Sequence, residues 1–249
     1  MMQPIYTQKF LVDDLAVDCA GNLKQSMLLY YLQEVAGQHF ALLEDPEETL
    51  EKKGLFWAVS RHHFVIHRLP RLGQTVTVET WPMPTTRVAY PRAMVIYDEA
   101  GQVLARAVSL WVLMDRHSRA MVLPGKSGVT VEGILRGDEP EVPKSLLPKE
   151  LPHTASRQVT YSLLDINGHM NNTRYLDWVC DLLPSAFHRS HSPAEITLCY
   201  LNEALEDQQI RLLWGLSEGG VLQVDALRTS TDDHPKETRV FSAQVCFRD

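Results

Sequence analysis

Cysteine is scarce in this chain: four occur among 249 residues, at Cys19, Cys180, Cys199 and Cys246. None stands in C-x-x-C spacing. Neither a zinc ribbon nor a disulfide-stapled scaffold is indicated, and the four read as reduced core thiols of a cytosolic protein. Basic charge is also short. Lys and Arg total 24 against 31 Asp and Glu, a net charge of −7, and no long basic run appears, which argues against a nucleic-acid partner. Apolar stretches are broken every few residues, too soon to span a membrane. The N-terminus MMQPIYTQKFLVDD has no apolar h-region and no cleavage-site pattern, so no signal peptide is expected. G-x-S-x-G, a Walker loop and G-x-G-x-x-G are all missing, leaving serine hydrolases and nucleotide or dinucleotide enzymes with little support. The run RHHFVIH offers His62, His63 and His67. On one strand face His63 and His67 would stand about 13 Å apart, and no Cys or carboxylate cluster lies nearby, so no metal site is expected. No other cofactor is expected either.

What is present is an ordinary globular composition, 45% hydrophobic and 22% charged. It suffices for one large domain or two small ones. The chain also reads twice. VDCAGNLKQSMLLYYLQEVAGQHFALL begins at Val17 and LDINGHMNNTRYLDWVCDLLPSAF at Leu164. Each has an Asp, a short polar turn with Gly and Asn, and then a helix; Asp18 and Asp165 lie 147 residues apart. In the first copy Ser26 is placed to cap a helix whose apolar stripe is Leu28, Leu32, Val35 and Ala36. In the second, Leu176, Val179, Leu182 and Leu183 form the stripe and Pro184 ends it. Strand-like segments follow each helix. LFWAVSRHHFVIHRL, QTVTVETWP, RVAYPRAMVIYDE and VLARAVSLWVLMD follow the first, with DEAGQ as a hairpin turn. AEITLCYLNEAL, QIRLLWGLSE, GVLQVDALRTS and TRVFSAQVCF follow the second, with SEGG and STDDHPKE as turns. A Pro-, Gly- and charge-rich connector lies between. The expected organisation is an α+β chain with an N-terminal unit over 1–122, a connector over 123–152 and a C-terminal unit over 153–249. Each unit is a long helix covered by its own antiparallel sheet, and the two sheets can pair internally.

The second turn holds more polar residues than a cap requires. One or two of Asp165, Asn171, Asn172 and Thr173 are expected to cap the helix, and Asn167-Gly168 suits a tight turn. Neither role accounts for His169. In an extended stretch residues 165, 167 and 169 face one side, which would set a carboxylate, an amide and an imidazole together beside a helix N-terminus. The first copy keeps Asp18 and Asn22 but has no His in its turn, so one half is expected to carry chemistry. Glu203, after the strand-like Leu198, Tyr200 and Leu201, reads either as an exposed turn carboxylate or as a base facing a pocket.

FWAVSRHHFVIHRLPRLGQTVTVETWP, RAVSLWVLMDRHSRAMVLP and above all DINGHMNNTRYLDWV resemble the acyl-ACP thioesterase family of plants and bacteria, over nearly the whole chain from Tyr6 to Phe247. The resemblance implies a double hot-dog fold, with each helix wrapped by a curved antiparallel sheet. It also implies hydrolysis of fatty acyl-ACP to fatty acid and carrier. By it, Asp165, Asn167 and His169 match the catalytic Asp, Asn and His, and Glu203 the glutamate on the facing strand. The chain departs where plant members have a Cys after that glutamate, since Ala204 stands here; water becomes the expected nucleophile. Glu203 would take the water proton with His169 assisting, or the two roles swap. Asn167 would orient water or the carbonyl, Asp165 would orient His169 or Asn167, and backbone N–H groups near Gly168 to Met170 would hold the oxyanion. An apolar tunnel is expected for the chain, with Met27, Tyr31, Phe56, Trp57, Trp81 and Trp111 as candidate walls. An acidic acyl carrier protein would dock on a local basic patch, for which Arg68, Arg71, Arg116 and Arg119 are candidates. An acyl-CoA thioesterase and a non-catalytic acyl-binding module are the competing readings. A cytoplasmic location is expected, as a monomer or a homodimer.

Overall fold

A computed structural model of the chain describes residues 4–43, 48–229 and 237–248. The N-terminal half runs β1 (Tyr6–Leu11), α1 (Gln25–Leu43), β2 (Leu55–Ile66), β3 (Thr75–Pro82), β4 (Tyr90–Tyr97), β5 (Val103–Asp115), β6 (Met121–Val122) and α2 (Pro124–Ser127). The C-terminal half runs β7 (His153–Gln158), α3 (Asn172–Cys180), α4 (Ser185–Ser190), β8 (Ser192–Tyr200), β9 (Gln209–Leu216), β10 (Val221–Thr229) and β11 (Glu237–Arg248). All the strand pairs are antiparallel, in one sheet of order β1-β3-β4-β5-β2-β8-β11-β10-β9-β7, with β6 beside β5. Read inward from either edge, the two halves have the same order. They meet where β2 pairs β8, from Arg61↔Cys199 to Val65↔Glu195. The duplication seen in the sequence is therefore a duplication of topology.

Two apolar stripes close the core. Leu28, Leu32 and Val35 on α1 and Leu176 and Val179 on α3 are buried with Phe64, Val76, Met94, Ile196, Leu198 and Phe241 in one continuous cluster. Each such side chain contributes about 1.5–3 kcal/mol when fully buried. Three details differ from the sequence reading. The second helix is short. α3 stops at Cys180 and Pro184 caps α4, so Leu182 and Leu183 prolong the stripe into a turn. α1 starts at Gln25, which puts Ser26 inside its first turn, buried, rather than ahead of it. A strand also precedes each helix: β1 and β7 are edge strands of six residues in which only alternate side chains are part-buried. Of the expected turns, DEAGQ and SEGG close as hairpins, with Gly101 N–H on Asp98 O and Gly220 N–H on Ser217 O. The turn expected over STDDHPKE, residues 230–237, lies outside the described residues except for Glu237, which opens β11.

The connector carries α2 and is otherwise irregular, yet it is tied to both halves. Ile134 N–H donates to Pro82 O at 2.9 Å and Trp81 Nε1 to Glu139 at 3.1 Å. Farther along, Arg239 donates to Leu146 O at 3.3 Å. At Gly133 a Cβ would lie 2.1 Å from the Met83 carbonyl carbon, so only glycine allows this approach.

Candidate active site

The segment from Asp165 to His169 is a closed turn, not an extended stretch. Asp165 Oδ1 accepts the N–H groups of Asn167 (2.8 Å) and His169 (3.3 Å). Asp165 O accepts Gly168 N–H at 3.0 Å, and Asp165 N–H donates to His169 O at 2.8 Å. Gly168 sits at φ +76°, a left-handed position that glycine takes without a steric penalty. The first half builds the same turn. Asp18 Oδ1 accepts Ala20 N–H (2.8 Å) and Asn22 N–H (3.0 Å), and Gly21 sits at φ +77°. In both halves the aspartate carboxylate holds the turn. Only the second half adds His169, where the first has Asn22, and Asn167, where the first has Ala20.

This turn also corrects the expected oxyanion donors. The N–H groups of Asn167, Gly168 and His169 are spent on Asp165, and Met170 N–H donates to Ala204 O at 2.8 Å. None of these four N–H groups is left for a ligand. Asn167 is exposed at the tip of the turn. Asn171 is the helix cap: its Oδ1 accepts Thr173 N–H at 2.9 Å.

The bond from Met170 to Ala204 and the bridge between His169 and Leu205 fix the loop after β8 against this turn. They bring Glu203 Oε2 to 3.3 Å from His169 Nε2. Arg228 donates to Glu203 O at 2.9 Å and holds the same loop from β10. Arg119, from the β5–β6 turn of the other half, donates to Glu203 Oε1 and lies 3.1 Å from His169 Nε2. Arg119 is placed by three features. Its own backbone is left-handed at φ +56°. Asp115 Oδ1 accepts the N–H groups of His117 and Ser118, bonds that hold its carboxyl below the usual carboxylate range. Its guanidinium lies over the Phe56 ring at 4.9 Å. The sequence marks Arg119 only as a surface cation for docking; the fold brings it between the two halves onto His169 and Glu203.

A guanidinium only donates, so the Arg119 contact needs His169 Nε2 as acceptor; Glu203 Oε2 lies 3.3 Å from the same nitrogen. A cysteine route has no support from geometry. Ala204 follows Glu203. Cys199 is buried, its thiol pushed up by desolvation, with Leu146 N–H on its sulfur at 3.5 Å. All four cysteines are free thiols.

A cavity of about 650 Å³ lies between α1 and the sheet, under the connector. Ala36, Gly37 and Phe40 line it from the helix, Trp57, Tyr90, Arg92 and Trp111 from the strands, and Val129, Val131 and Ile134 from the connector. Of the six expected wall residues, Trp57 and Trp111 face it and four do not. Tyr31 is in the main core, stacked on Phe10 at 4.2 Å, its phenol pushed up to about 12 chiefly by burial. Met27 packs against the same core. Phe56 points the other way, under Arg119. Trp81 is wholly buried beneath the connector, with Arg136 over its ring at 4.7 Å. Among the other docking candidates Arg68 is paired with Asp98 at 2.9 Å, whereas Arg71 and Arg116 have no acidic partner among the described residues.

Comparison with known proteins agrees with this architecture. The acyl-ACP thioesterase N-terminal domain matches residues 3–123 and the acyl-ACP thioesterase C-terminal domain residues 148–240. A chloroplastic dodecanoyl-[acyl-carrier-protein] hydrolase of Umbellularia californica is 32% identical over 78% of this chain and 57% of its own length. A chloroplastic palmitoyl-acyl carrier protein thioesterase of Gossypium hirsutum is 27% identical over 86% and 55%. The chain thus spans little more than half the length of these curated relatives. Solved structures share the fold end to end. An acyl-ACP thioesterase from Bacteroides thetaiotaomicron superposes with TM-score 0.83 at 22% identity, over 98% of both chains. The 12:0-ACP thioesterase of U. californica gives 0.80 at 24% identity, over 100% of this chain and 98% of that one. With both domain families matched in order and the double hot-dog topology in place, the chain belongs to the acyl-ACP thioesterase family.

Proposed function

We propose that this chain hydrolyses fatty acyl-ACP, releasing the fatty acid and the carrier thiol by attack of water on the thioester. The observation that carries the reading is His169 Nε2 set 3.3 Å from Glu203 Oε2 by a turn whose counterpart in the other half lacks the histidine. Glu203 takes a proton from water as its oxygen attacks the carbonyl carbon. His169 supplies the proton that leaves with the thiol sulfur when the C–S bond breaks. The two assignments exchange without changing the balance. Asn167 and Arg119 are the side-chain donors within the cluster that meet the developing oxyanion, while Asp165 acts as a positioning residue through the turn. The cavity under α1 takes the acyl chain, each buried CH₂ contributing about 0.8 kcal/mol. Arg116, beside Arg119 on the same turn and without an acidic partner among the described residues, is the docking residue for an acidic carrier protein.

Every residue of the cluster comes from one chain, so a monomer is sufficient. Among the described residues no helix is long and apolar enough to cross a membrane. The four free thiols suit a reducing compartment such as the cytoplasm. The test is thiol release from acyl carriers of graded chain length beside the matching acyl-CoAs. Faster turnover of the carrier substrates, with KM rising with salt, supports the proposal. Preference for the CoA series would reassign the substrate. Tight acyl binding without release would make the chain a binding module.

A further inference from the structure

The acyl cavity is not uniformly apolar. Arg92, on β4, is 8% exposed and borders it. Its Nη1 lies 3.1 Å from His39 Nδ1 and 3.3 Å from Thr80 Oγ1. Since a guanidinium only donates, His39 accepts through Nδ1. Thr80 gives its own proton to Ala93 O at 2.8 Å, so it too serves Arg92 as an acceptor. No carboxylate lies within 4.0 Å of Arg92 among the described residues. Burial pulls the guanidinium down to about 10. The remaining nitrogens, Nε and Nη2, make no bond within the described residues and yet are not sealed among the buried unpartnered atoms. Both therefore keep some accessible surface, on a residue that lines the cavity. A buried cation with no counter-charge is unfavourable unless something supplies acceptors.

The position of Arg92 says which part of a ligand it meets. Trp111, which also lines the cavity, pairs with Tyr90, and Arg92 pairs with Ser109. From Ser109 the strand runs six residues to Asp115, roughly 20 Å at the usual rise, before reaching the turn that bears Arg119. The side chain of Arg92 extends farther still from that turn, since Thr80 pairs with Met94 and Met94 with Ala107.

On the reading that this site cleaves acyl thioesters, we infer that the cavity accepts chains bearing an oxygen acceptor near the end remote from the thioester, with Arg92 as its donor. A terminal hydroxyl, ketone or carboxylate satisfies the same N–H groups, a carboxylate also supplying the missing charge. A plain hydrocarbon terminus leaves them unmet.

The test is a set of acyl carriers matched in length and differing only at the chain terminus: methyl, ω-hydroxyl and ω-carboxylate. It is run with the wild type, Arg92→Met and Arg92→Lys. The expected result is a kcat/KM higher by about 10- to 100-fold for an oxygenated terminus, the span of a charge-assisted hydrogen bond. That preference is reversed in Arg92→Met and partly kept in Arg92→Lys. A higher ω-carboxylate than ω-hydroxyl rate identifies an anion site; equal rates identify a neutral acceptor site. Preference for the methyl terminus, unchanged in both variants, overturns the inference and makes Arg92 a structural cation. Should no carrier be cleaved, the hydrolase reading fails by itself. The inference is then decided by calorimetric binding of the matched free fatty acid, ω-hydroxy acid and dicarboxylic acid to the wild type, where equal affinities overturn it. The same titrations serve if Arg92→Met does not fold.

Discussion

His62 makes the stability of this fold depend on pH in a way that can be worked out in advance. It lies at the seam of the two halves, paired with Ser109 on β5 and Leu198 on β8. It is 0% exposed, and neither ring nitrogen has a partner. Its neighbours are the edge-on ring of Tyr200 at 5.7 Å and Phe64 at 5.9 Å, and none of these groups is charged. Desolvation lowers its pKa from 6.5 to about 3. In the unfolded chain the imidazole takes its proton near 6.5, whereas in the fold it stays neutral until about pH 3. Between those limits the unfolded state binds more protons, so stability falls as pH falls. At pH 5 the gap to the unfolded pKa is about 1.5 units, or roughly 2 kcal/mol, whatever the folded value below 5. Urea unfolding at pH 7.5 and 5.0 reads this directly when wild type is compared with His62→Leu, which cannot titrate. The wild type is expected to lose about 2 kcal/mol more than the variant between the two pH values, with the variant no less stable at pH 7.5. Equal losses in both proteins would refute the reasoning and mean that the protonated imidazole finds a hydrogen-bond acceptor or water in the folded state.

Three further outcomes follow from the geometry. Gly37 faces the cavity under α1 with nothing within 4 Å of where a Cβ would stand, so, if that cavity takes the acyl chain as proposed, Gly37→Leu should fold and shift the preferred chain shorter by a few carbons, at about 0.8 kcal/mol for each CH₂ displaced; chain-length profiles of released fatty acids check this. Asp18→Ala and Asp165→Ala each remove two side-chain bonds that hold a turn and should lose about 1–3 kcal/mol in thermal or urea melts, but only Asp165→Ala should also lower kcat, because only its turn carries His169. Arg119→Gln removes the cation from Glu203 and should lower kcat by about 10- to 100-fold with KM little changed; a raised KM at normal kcat would instead place Arg119 in carrier docking.

Much of this arrangement is legible in the sequence because it is local. The stripe of Leu28, Leu32 and Val35 marks α1, and the paired Asp-Gly turns at Asp18 and Asp165 reveal the duplication. What escaped depends on distant segments or on hydrogen bonds internal to a motif. Leu182 and Leu183 continue the helical spacing past the end of α3, so the second helix was overlong in the sequence. β1 and β7 are short edge strands, half-buried on alternate residues, and such alternation over six positions is a weak signal. The segment DRHSR shows Arg119 only as one charge among others; its meeting with Glu203 needs β5 and the loop after β8 to converge. Trp81 and Trp57 are equally aromatic in sequence, and only register decides that one faces the cavity and the other the underside of the connector. The backbone N–H groups of the turn appear free in sequence because their acceptor, the Asp165 carboxylate, looks like a catalytic group rather than a turn-holding one.

The central claim is that His169 and Glu203 form one acid–base pair acting on a thioester. Thiol release from a long-chain acyl carrier, measured for the wild type, His169→Ala and Glu203→Ala with folding checked by circular dichroism, tests it most directly. Turnover by the wild type, reduced by about 100- to 1000-fold in each folded variant, is the expected result. Near-normal kcat in either folded variant would contradict the pair, and would leave the cluster around Asp165 as an elaborate turn ahead of α3.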